Sequence, residues 1–322
     1  MHKNLPAWQL IYQSLQQNIG VMLMYVLESR GSSPGRQGFM MAVNTNGQMS
    51  GSLGGGIMEF KFTELAKKWL MIEYIAPSIH QQFHDKEAAQ NQSGMICSGE
   101  QTIFLYKVMT TEWQVVESII NTLQANQNGT MQLTLKGISF SKEIPTQNFF
   151  LNKTDDDFLF IEKVGYKQNL YIIGGGHCSL ALTQLMCTMD FYIRLYDDRT
   201  ELNTMTQNHF VHEKIVLANY GQLEKSIPSG ENNYVVVMTV GYRTDDTAVR
   251  AFLNKRLAFF GILGSKKKIK KMFTDYKMEG INEAILKTIH APVGLFIKSQ
   301  TPEEIAVSIA AEIIQVKNYK LL

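Results

Sequence analysis

Three consecutive glycines between two apolar stretches constrain the fold of this chain more than any other feature. Gly174, Gly175 and Gly176 follow the apolar residues 169–173 and open a helical pattern, and a second apolar stretch follows at residues 191–196. This order predicts a β-α-β unit of a parallel sheet. Glycines at such a turn allow a tight bend and let backbone N–H groups approach a phosphate at the positive end of the helix.

Asp197 strengthens the interpretation of this turn as a nucleotide site. It ends the second strand, close to the spacing of about 20 residues at which an acidic residue binds the ribose hydroxyls. The third glycine of the G-x-G-x-x-G pattern is Ser179 here, and His177 either faces a ligand or caps its own helix. Because a fold does not guarantee a ligand, a Rossmann-like sheet that binds no nucleotide stays an open alternative.

A second glycine-rich turn lies nearer the N-terminus. Residues 50–56, which include Gly54, Gly55 and Gly56, lead into a predicted helix over residues 57–72 with Glu59 in its first turns. With Arg36 on the preceding loop, the N–H groups of this turn could form an oxyanion or phosphate pocket. The alternative is a tight strand-to-helix turn without a ligand.

Two further segments carry candidate chemistry. Cys97 lies among glycines before a predicted strand at residues 102–108, where a loop thiolate could bind a soft metal or carry sulfur; the alternative is a small buried apolar residue. Ser265 and Lys266 follow a predicted strand, and with the first N–H groups of the next helix they could bind a phosphate. The alternative for the lysine-rich run 266–271 is a solvated helix face.

Composition narrows the class of protein. A chain of 322 residues with 45% hydrophobic content is large enough for two domains. Its 31 basic and 29 acidic residues leave a net charge of +2, which does not favour nucleic-acid binding. The three scattered cysteines and the absence of a signal-peptide pattern or a membrane-length apolar run predict a cytoplasmic protein with no membrane association.

The pattern as a whole predicts an α/β fold with two domains. We expect residues 1–110 to form an N-terminal α/β domain and residues 111–168 to form a connecting region with at least two strands. Residues 169–322 are expected to form a Rossmann-like, doubly wound parallel-sheet domain.

Taken together, these segments resemble the XdhC/CoxI family, the accessory proteins of xanthine dehydrogenase and carbon monoxide dehydrogenase. The resemblance covers most of the chain apart from residues 111–168. Its most specific parts are residues 28–34 with 51–59, the Cys97 segment, residues 170–199, and the C-terminal stretches 260–266, 290–295 and 301–312. The resemblance implies an N-terminal XdhC-type domain followed by a Rossmann domain, often in a homodimer.

The resemblance also implies a function. Such a protein binds the molybdenum cofactor (molybdopterin), protects it while its terminal sulfido ligand is installed, and delivers it to a xanthine dehydrogenase-like molybdoenzyme, with a cysteine desulfurase as a further partner. It is thus a cofactor chaperone more than a stand-alone catalyst. Cys97 would contact molybdenum or sulfur, as catalytic residue and metal ligand. The residues implied in cofactor binding are Arg36, Gly54, Gly55, Gly56, Glu59, Gly174, Gly176, His177, Asp197, Ser265 and Lys266.

The chain also departs from the family pattern. Ile57 stands where the family commonly has a cysteine, and Val240 and Gly241 stand where a histidine usually follows the strand over residues 234–239. The main alternative is an NAD(P)-dependent oxidoreductase that uses the Rossmann domain, with His177 as the candidate proton donor. A third hypothesis is a non-catalytic protein whose lysine-rich run docks an acidic partner.

Overall fold

The computed structural model describes residues 2–83, 99–154 and 157–319, and the chain divides into two compact units, Met1–Gly165 and Tyr166–Leu322. The predicted α/β class is confirmed, because the second unit contains a parallel sheet with helices on both faces. No helix in the described part of the chain combines the length and the apolar character needed to cross a bilayer.

The first unit begins with a helix and is dominated by antiparallel strands. Its elements in chain order are α1 (Leu5–Gln16), β1 (Val21–Gly31), β2 (Met40–Asn44), β3 (Met49–Gly51), α2 (Gly56–Leu70), β4 (Ser78–Phe83), β5 (Gly99–Lys107), α3 (Trp113–Gln124), β6 (Gly129–Thr134), β7 (Gly137–Ser141), β8 (Phe149–Lys153) and β9 (Phe158–Val164).

Five of these strands form one antiparallel sheet in the order β3-β2-β1-β5-β4. Successive side chains of a strand point to opposite faces. In β1, Leu23 therefore packs with Trp8 of α1, while Met22 packs on the other face with Phe62 of α2. This burial of both faces explains why β1 is apolar without interruption from Val21 to Leu27. The turn before α2 follows β3, which is an edge strand of the sheet.

Residues 129–164 form a second antiparallel sheet, in the order β7-β6-β9-β8. Leu133 and Phe160 of this sheet share a core with Trp8 of α1 and Val116 of α3. The stretch predicted as a connecting region, residues 111–168, therefore carries α3 and four strands, and nearly all of it packs within the first unit. Its polar turns look like a linker in sequence, but its buried residues alternate along the strands, as in β9.

The second unit alternates strands and helices. Its elements in chain order are β10 (Gln168–Ile173), α4 (His177–Met186), β11 (Phe191–Asp197), α5 (Asn203–Gln207), β12 (Glu213–Val216), α6 (Leu223–Ser226), β13 (Gly230–Val237), α7 (Tyr242–Arg250), β14 (Leu257–Ile262), α8 (Lys266–Met278), α9 (Glu283–Lys287) and α10 (Pro302–Tyr319).

The strands of this unit form a parallel sheet in the order β12-β11-β10-β13-β14. Ile172 packs with Leu182 of α4 and Ile309 of α10, whereas Ile173 packs on the opposite face with Val249 of α7 and Met272 of α8. A parallel sheet covered on both faces requires strands that are apolar on both sides, which is what the sequence shows.

The order of the strands reverses at β10. The chain leaves β10 to build β11 and β12 on one side, and later returns to build β13 and β14 on the other. In open α/β sheets, ligands bind outside the carboxyl ends of the strands at such a switch point. Gly174, Thr239 and Leu263 lie there, directly after or within two residues of the ends of β10, β13 and β14.

Candidate functional site

Gly174 makes the first turn at the switch point possible. Its φ is +110°, and a Cβ atom at this position would lie 2.4 Å from the Met238 carbonyl oxygen. Its N–H donates to the carbonyl of Tyr196 over 2.7 Å. The glycine is therefore required where the ends of β10, β11 and β13 meet, because a side chain there would collide with backbone.

Gly176 is the N-cap residue of α4, and it faces open space. A Cβ atom built on it would meet nothing within 4 Å. His177 follows as the first residue of α4 and is exposed. Because the first N–H groups of a helix have no partner within the helix, the start of α4 offers donors and positive partial charge to an anion.

Ser179 occupies the place of the third glycine in the pattern. Its side chain is buried, and its Oγ donates a hydrogen bond to the carbonyl of Gly174. The hydroxyl thus joins the first turn of α4 to the loop. Because of this bond, the strand-to-helix turn stays intact although Ser179 stands in place of the third glycine.

Asp197 ends β11 and is completely buried. Its Oδ2 accepts hydrogen bonds from the Gly175 N–H over 2.6 Å and from Arg199 Nη2 over 2.7 Å. Its Oδ1 accepts from the Arg199 N–H over 2.9 Å and from Arg199 Nε over 2.8 Å. Burial opposes ionisation, but these bonds outweigh it, so the pKa of Asp197 is lowered from its ordinary value.

Arg199 is a residue of this site that the sequence reasoning missed. Its guanidinium pairs with both oxygens of Asp197, while 38% of its side chain remains exposed. The available signal was an arginine two residues after the acid that ends the second strand. The ribose role predicted for Asp197 stays a prediction, and in the present geometry it requires Arg199 to move.

Ser265 and Lys266 lie at the same edge of the sheet, after β14. Ser265 is the N-cap of α8, and its Oγ accepts from the Lys268 N–H over 3.2 Å. The Lys266 ammonium lies 5.5 Å from the ring centroid of Phe296, which is 81% exposed. Lys266 also lines a pocket of about 370 Å³ formed largely by residues 292–299. With β13 between β10 and β14, this helix start is about 10 Å from the Gly174 turn.

Lys268 differs from the rest of the lysine-rich run. Its Nζ forms an ion pair with Asp245, which is completely buried, and donates to the carbonyl of Leu263 over 3.2 Å. Asp245 also accepts from the N–H and the hydroxyl of Thr239 over 3.0 and 2.6 Å. The run is therefore not a solvated face throughout, because Lys268 ties the ends of β13 and β14 together.

The glycine turn of the first unit binds a carboxylate of its own. Glu59 Oε2 accepts from Ser52 Oγ and the Leu53 N–H, both over 2.7 Å, and from the Gly55 N–H over 3.0 Å. The Gly54 N–H donates to Ser52 Oγ over 3.0 Å. Burial opposes ionisation of Glu59, but the hydrogen bonds prevail and lower its pKa. Donors that the sequence assigned to an external anion are thus occupied from within.

Arg36 and Gly54 have local roles in the same unit. Arg36 is exposed, and its Nη1 donates to the carbonyl of Gly31 over 3.0 Å. A Cβ atom on Gly54, whose φ is +118°, would lie 2.3 Å from the Gly35 nitrogen. Gly54 therefore permits two backbone segments to touch. Gly56 opens α2 and is exposed.

The predicted functional cysteine, Cys97, lies outside the described residues. Cys178 and Cys187 are free thiols, each half-buried, and burial raises the pKa of the Cys178 thiol. In the segments that the structure describes, no group of three or more His, Cys, Asp or Glu side chains is placed to hold a metal ion.

Comparisons with known proteins identify two family models. Residues 170–313 match the model described as the XdhC Rossmann domain, and residues 14–73 match that of the XdhC and CoxI family. The switch-point loop and Asp197 fall within the first match, and the Glu59 turn falls within the second.

Two curated relatives and one solved structure are similar to this chain. The uncharacterized protein YqeB of Escherichia coli K12 is 24% identical over 307 residues, which is 94% of this chain and 44% of that protein. A Bacillus subtilis 168 protein described as a probable subunit of xanthine dehydrogenase is 27% identical over 159 residues, 49% of this chain and 46% of that protein. The alignments span less than half the length of either relative.

The solved structure is a crystal structure of a xanthine dehydrogenase from Bacillus halodurans. It is 24% identical to this chain, with a TM-score of 0.69 over 97% of this chain and 96% of that one. At this identity the likeness is one of fold.

Proposed function

This chain belongs to the XdhC and CoxI family, and from that premise we propose that it is an accessory protein of a xanthine dehydrogenase-like molybdoenzyme. It binds the molybdenum cofactor, supports its sulfuration and delivers it to that enzyme. The similarity to a protein described as a probable subunit of xanthine dehydrogenase supports the choice of client. A cysteine desulfurase as sulfur source and a homodimeric state belong to the same proposal.

The observation that carries the proposal is the open start of α4 at the switch point. Gly176 faces open space, and the first N–H groups of α4 lie beside it. The cofactor carries a phosphate, and helix starts of this kind bind phosphates. Gly176 and His177 would therefore hold the cofactor by its phosphate through backbone N–H groups.

Ser265 and Lys266 would supply further contacts at the same edge of the sheet. The ammonium of Lys266 lies beside a pocket large enough for a small group, and its charge suits an anionic ligand. Cys97 is the residue proposed to contact molybdenum or sulfur, because a thiolate is a soft ligand and a nucleophile. The cofactor is cargo in this proposal, so the chain must both retain it and release it.

Retention of the cofactor is the direct test. Purified chain is mixed anaerobically with freshly released molybdenum cofactor, passed through gel filtration, and assayed for the fluorescent pterin derivative after oxidation. Wild type should retain cofactor, and Cys97→Ser should lose it if the thiol contacts molybdenum. Gly176→Asp should also lose it, because an N-cap aspartate stabilises α4 while its carboxylate occupies the donors and repels phosphate.

A matched control separates charge from position. Asn282→Asp introduces the same charge at the N-cap of α9, away from the switch point, and should retain cofactor like wild type. If wild type fails to retain cofactor, the chaperone function is rejected. If Gly176→Asp retains it normally, the phosphate is held somewhere other than the start of α4.

A second candidate function is an NAD(P)-dependent oxidoreductase, and the position of the glycine loop at the switch point favours it. It requires a group that transfers a proton beside the nicotinamide, and His177 is exposed at the first position of α4. Turnover of a carbonyl substrate with NADH or NADPH, lost in His177→Gln and kept in the exposed control His209→Gln, would favour this function. Nucleotide binding without turnover would not.

A further inference from the structure

The end of β11 is where a Rossmann domain meets the ribose of a dinucleotide, through a carboxylate that accepts hydrogen bonds from the two hydroxyls. Asp197 holds this position but has no exposed surface. Both of its oxygens are engaged, by the Gly175 N–H and by three N–H groups of Arg199. A ribose diol could reach this carboxylate only by displacing Arg199.

Arg199 presents a cation where the diol would otherwise bind. Its Nε and Nη2 are held by Asp197, and 38% of its side chain is exposed. Its third nitrogen, Nη1, makes no hydrogen bond within the described residues and keeps its donors for a ligand. A guanidinium matches the geometry of phosphate oxygens. Because Asp197 already orders this one, a ligand would not have to restrict its rotamers on binding.

An anion on the outer side of Arg199 would meet both attractive and repulsive charges. The charge of Asp197 faces inward and is compensated by the guanidinium. The negative charge of the neighbouring Asp198 also acts on Arg199 and opposes an approaching anion. The start of α4 adds positive partial charge beside Gly176, where space is open. An anion in this crevice would meet both the guanidinium and the helix start.

We propose that the second unit selects ligands that place a phosphate at the end of β11 over ligands that place a ribose diol there, and that Arg199 makes this selection. The inference rests on the proposed function in taking the crevice beside Gly176 as the ligand site. It goes further by naming the recognised group, a phosphate monoester. Two ligands carry that chemistry: an NADP-type nucleotide through its 2′-phosphate, and the molybdenum cofactor through the phosphate of its pterin.

The test compares two nucleotides that differ only in the 2′-phosphate. The full chain is titrated with NADPH and with NADH, and retention of released molybdenum cofactor is measured in parallel. Wild type should bind NADPH about tenfold more tightly than NADH, or more, because a charge-assisted hydrogen bond is lost with the phosphate. Arg199→Ala should abolish the difference. Arg256→Ala, which removes an exposed arginine at the opposite edge of the sheet, should preserve it.

A second variant guards against loss of folding. Arg199→Ala leaves the buried Asp197 without its cation, and an unpaired buried charge can unfold a domain. The double variant Asp197→Asn, Arg199→Gln removes both charges and keeps groups that can hydrogen-bond to each other. It should unfold near the wild-type temperature and still lose the preference for phosphate.

The outcomes distinguish the two phosphate sources. Selective NADPH binding would assign the phosphate to a nucleotide. If the chain binds no nucleotide, and wild type retains the cofactor while the Arg199 variants lose it, the phosphate is that of the pterin. The inference would be overturned if wild type bound both nucleotides with equal affinity, or if Arg199→Ala weakened both equally. It would also be overturned if the chain bound no nucleotide and the Arg199 variants retained the cofactor as well as wild type. Absence of all binding overturns it together with the proposed function. Selective NADPH binding without cofactor retention refutes only the proposed function.

Discussion

In the first unit, Glu59 accepts hydrogen bonds from the Leu53 and Gly55 N–H groups of its glycine turn, whereas in the second unit Asp197 accepts only that of Gly175 within its loop. The first turn therefore contains its own anion. The second leaves the start of α4 open and places Arg199 over the acid. Both turns join a strand to a helix, but they differ in which groups accept hydrogen bonds from their backbone N–H groups.

The difference shows that glycine spacing and binding capacity are separate properties. Gly54 and Gly174 each have a positive φ and each allow backbone segments to meet. That requirement is structural in both units. Whether a turn can bind an external anion depends on whether an internal carboxylate already accepts hydrogen bonds from its N–H groups. By this criterion, the turn of the second unit is the stronger candidate for binding a phosphate.

The largest expected effect tests the structural role of glycine in the first turn. Gly54→Ala should destabilise the chain by about 3 kcal/mol, because the new Cβ meets backbone and the residue must keep a positive φ. Gly55→Ala is the matched control, since its φ is +81° but nothing lies within 4 Å of its Cβ position. The control should cost about 1–2 kcal/mol from backbone strain alone, because its φ of +81° and ψ of −172° favour glycine. Chemical denaturation measures both, and equal costs would contradict the close contact with Gly35.

A smaller effect is expected when the internal anion of the first turn is neutralised. Glu59→Gln should destabilise the chain by about 1–2 kcal/mol at pH 7, because hydrogen bonds to a charged acceptor are replaced by weaker ones. Since the folded pKa of Glu59 lies below its ordinary value of 4.5, its contribution is complete above that pH and is lost as the pH falls through the lower folded value.

Thermal unfolding measured between pH 7 and pH 3 reports how the contribution of Glu59 to stability changes with pH. The difference in melting temperature between wild type and Glu59→Gln should shrink as the pH falls below 4.5. Glu64→Gln removes an exposed carboxylate of the same helix, paired with Lys67 on the surface, and should change stability little at any pH. A constant difference across the range would mean that the charge of Glu59 is not what stabilises the turn.

The smallest change in stability should accompany a clear change in binding. Gly176→Ala should alter stability by less than about 1 kcal/mol, as expected for an N-cap glycine with open space around it. It should nevertheless weaken retention of a phosphate-bearing ligand by about tenfold, because the methyl group occupies the approach to the first N–H groups of α4. Gly241→Ala, at the N-cap of α7, gives the stability cost of the substitution itself. Unchanged retention would remove the distinction between the two turns.

Much of the fold follows from local patterns in the sequence. The apolar stretches at residues 169–173 and 191–196 became β10 and β11, and the turn between them opens α4 as predicted. At α10, the Glu304 N–H donates to Thr301 Oγ1 while the Glu304 carboxylate accepts from the Thr301 N–H, which is the reciprocal capping typical of a helix start. Such features are predictable because the interacting groups are only a few residues apart.

The sheet at residues 129–164 and the pairing of the site residues required the tertiary structure. The sheet depends on Phe160 joining the core of Trp8, a contact between distant parts of the chain. The ion pair of Lys268 with the buried Asp245 depends on how α7 and α8 pack over β13 and β14. Periodicity within a segment carries no information on such contacts.

The sequence by itself determined the two glycine turns, the parallel strands beside the second and the family resemblance, because backbone conformation and apolar periodicity depend on neighbouring residues. Only the tertiary structure decided that Glu59 fills the first turn and that Arg199 closes over Asp197. The physical reason is that a hydrogen bond forms only within about 3 Å. Which donor meets which acceptor at that distance is settled by the packed positions of helices and strands.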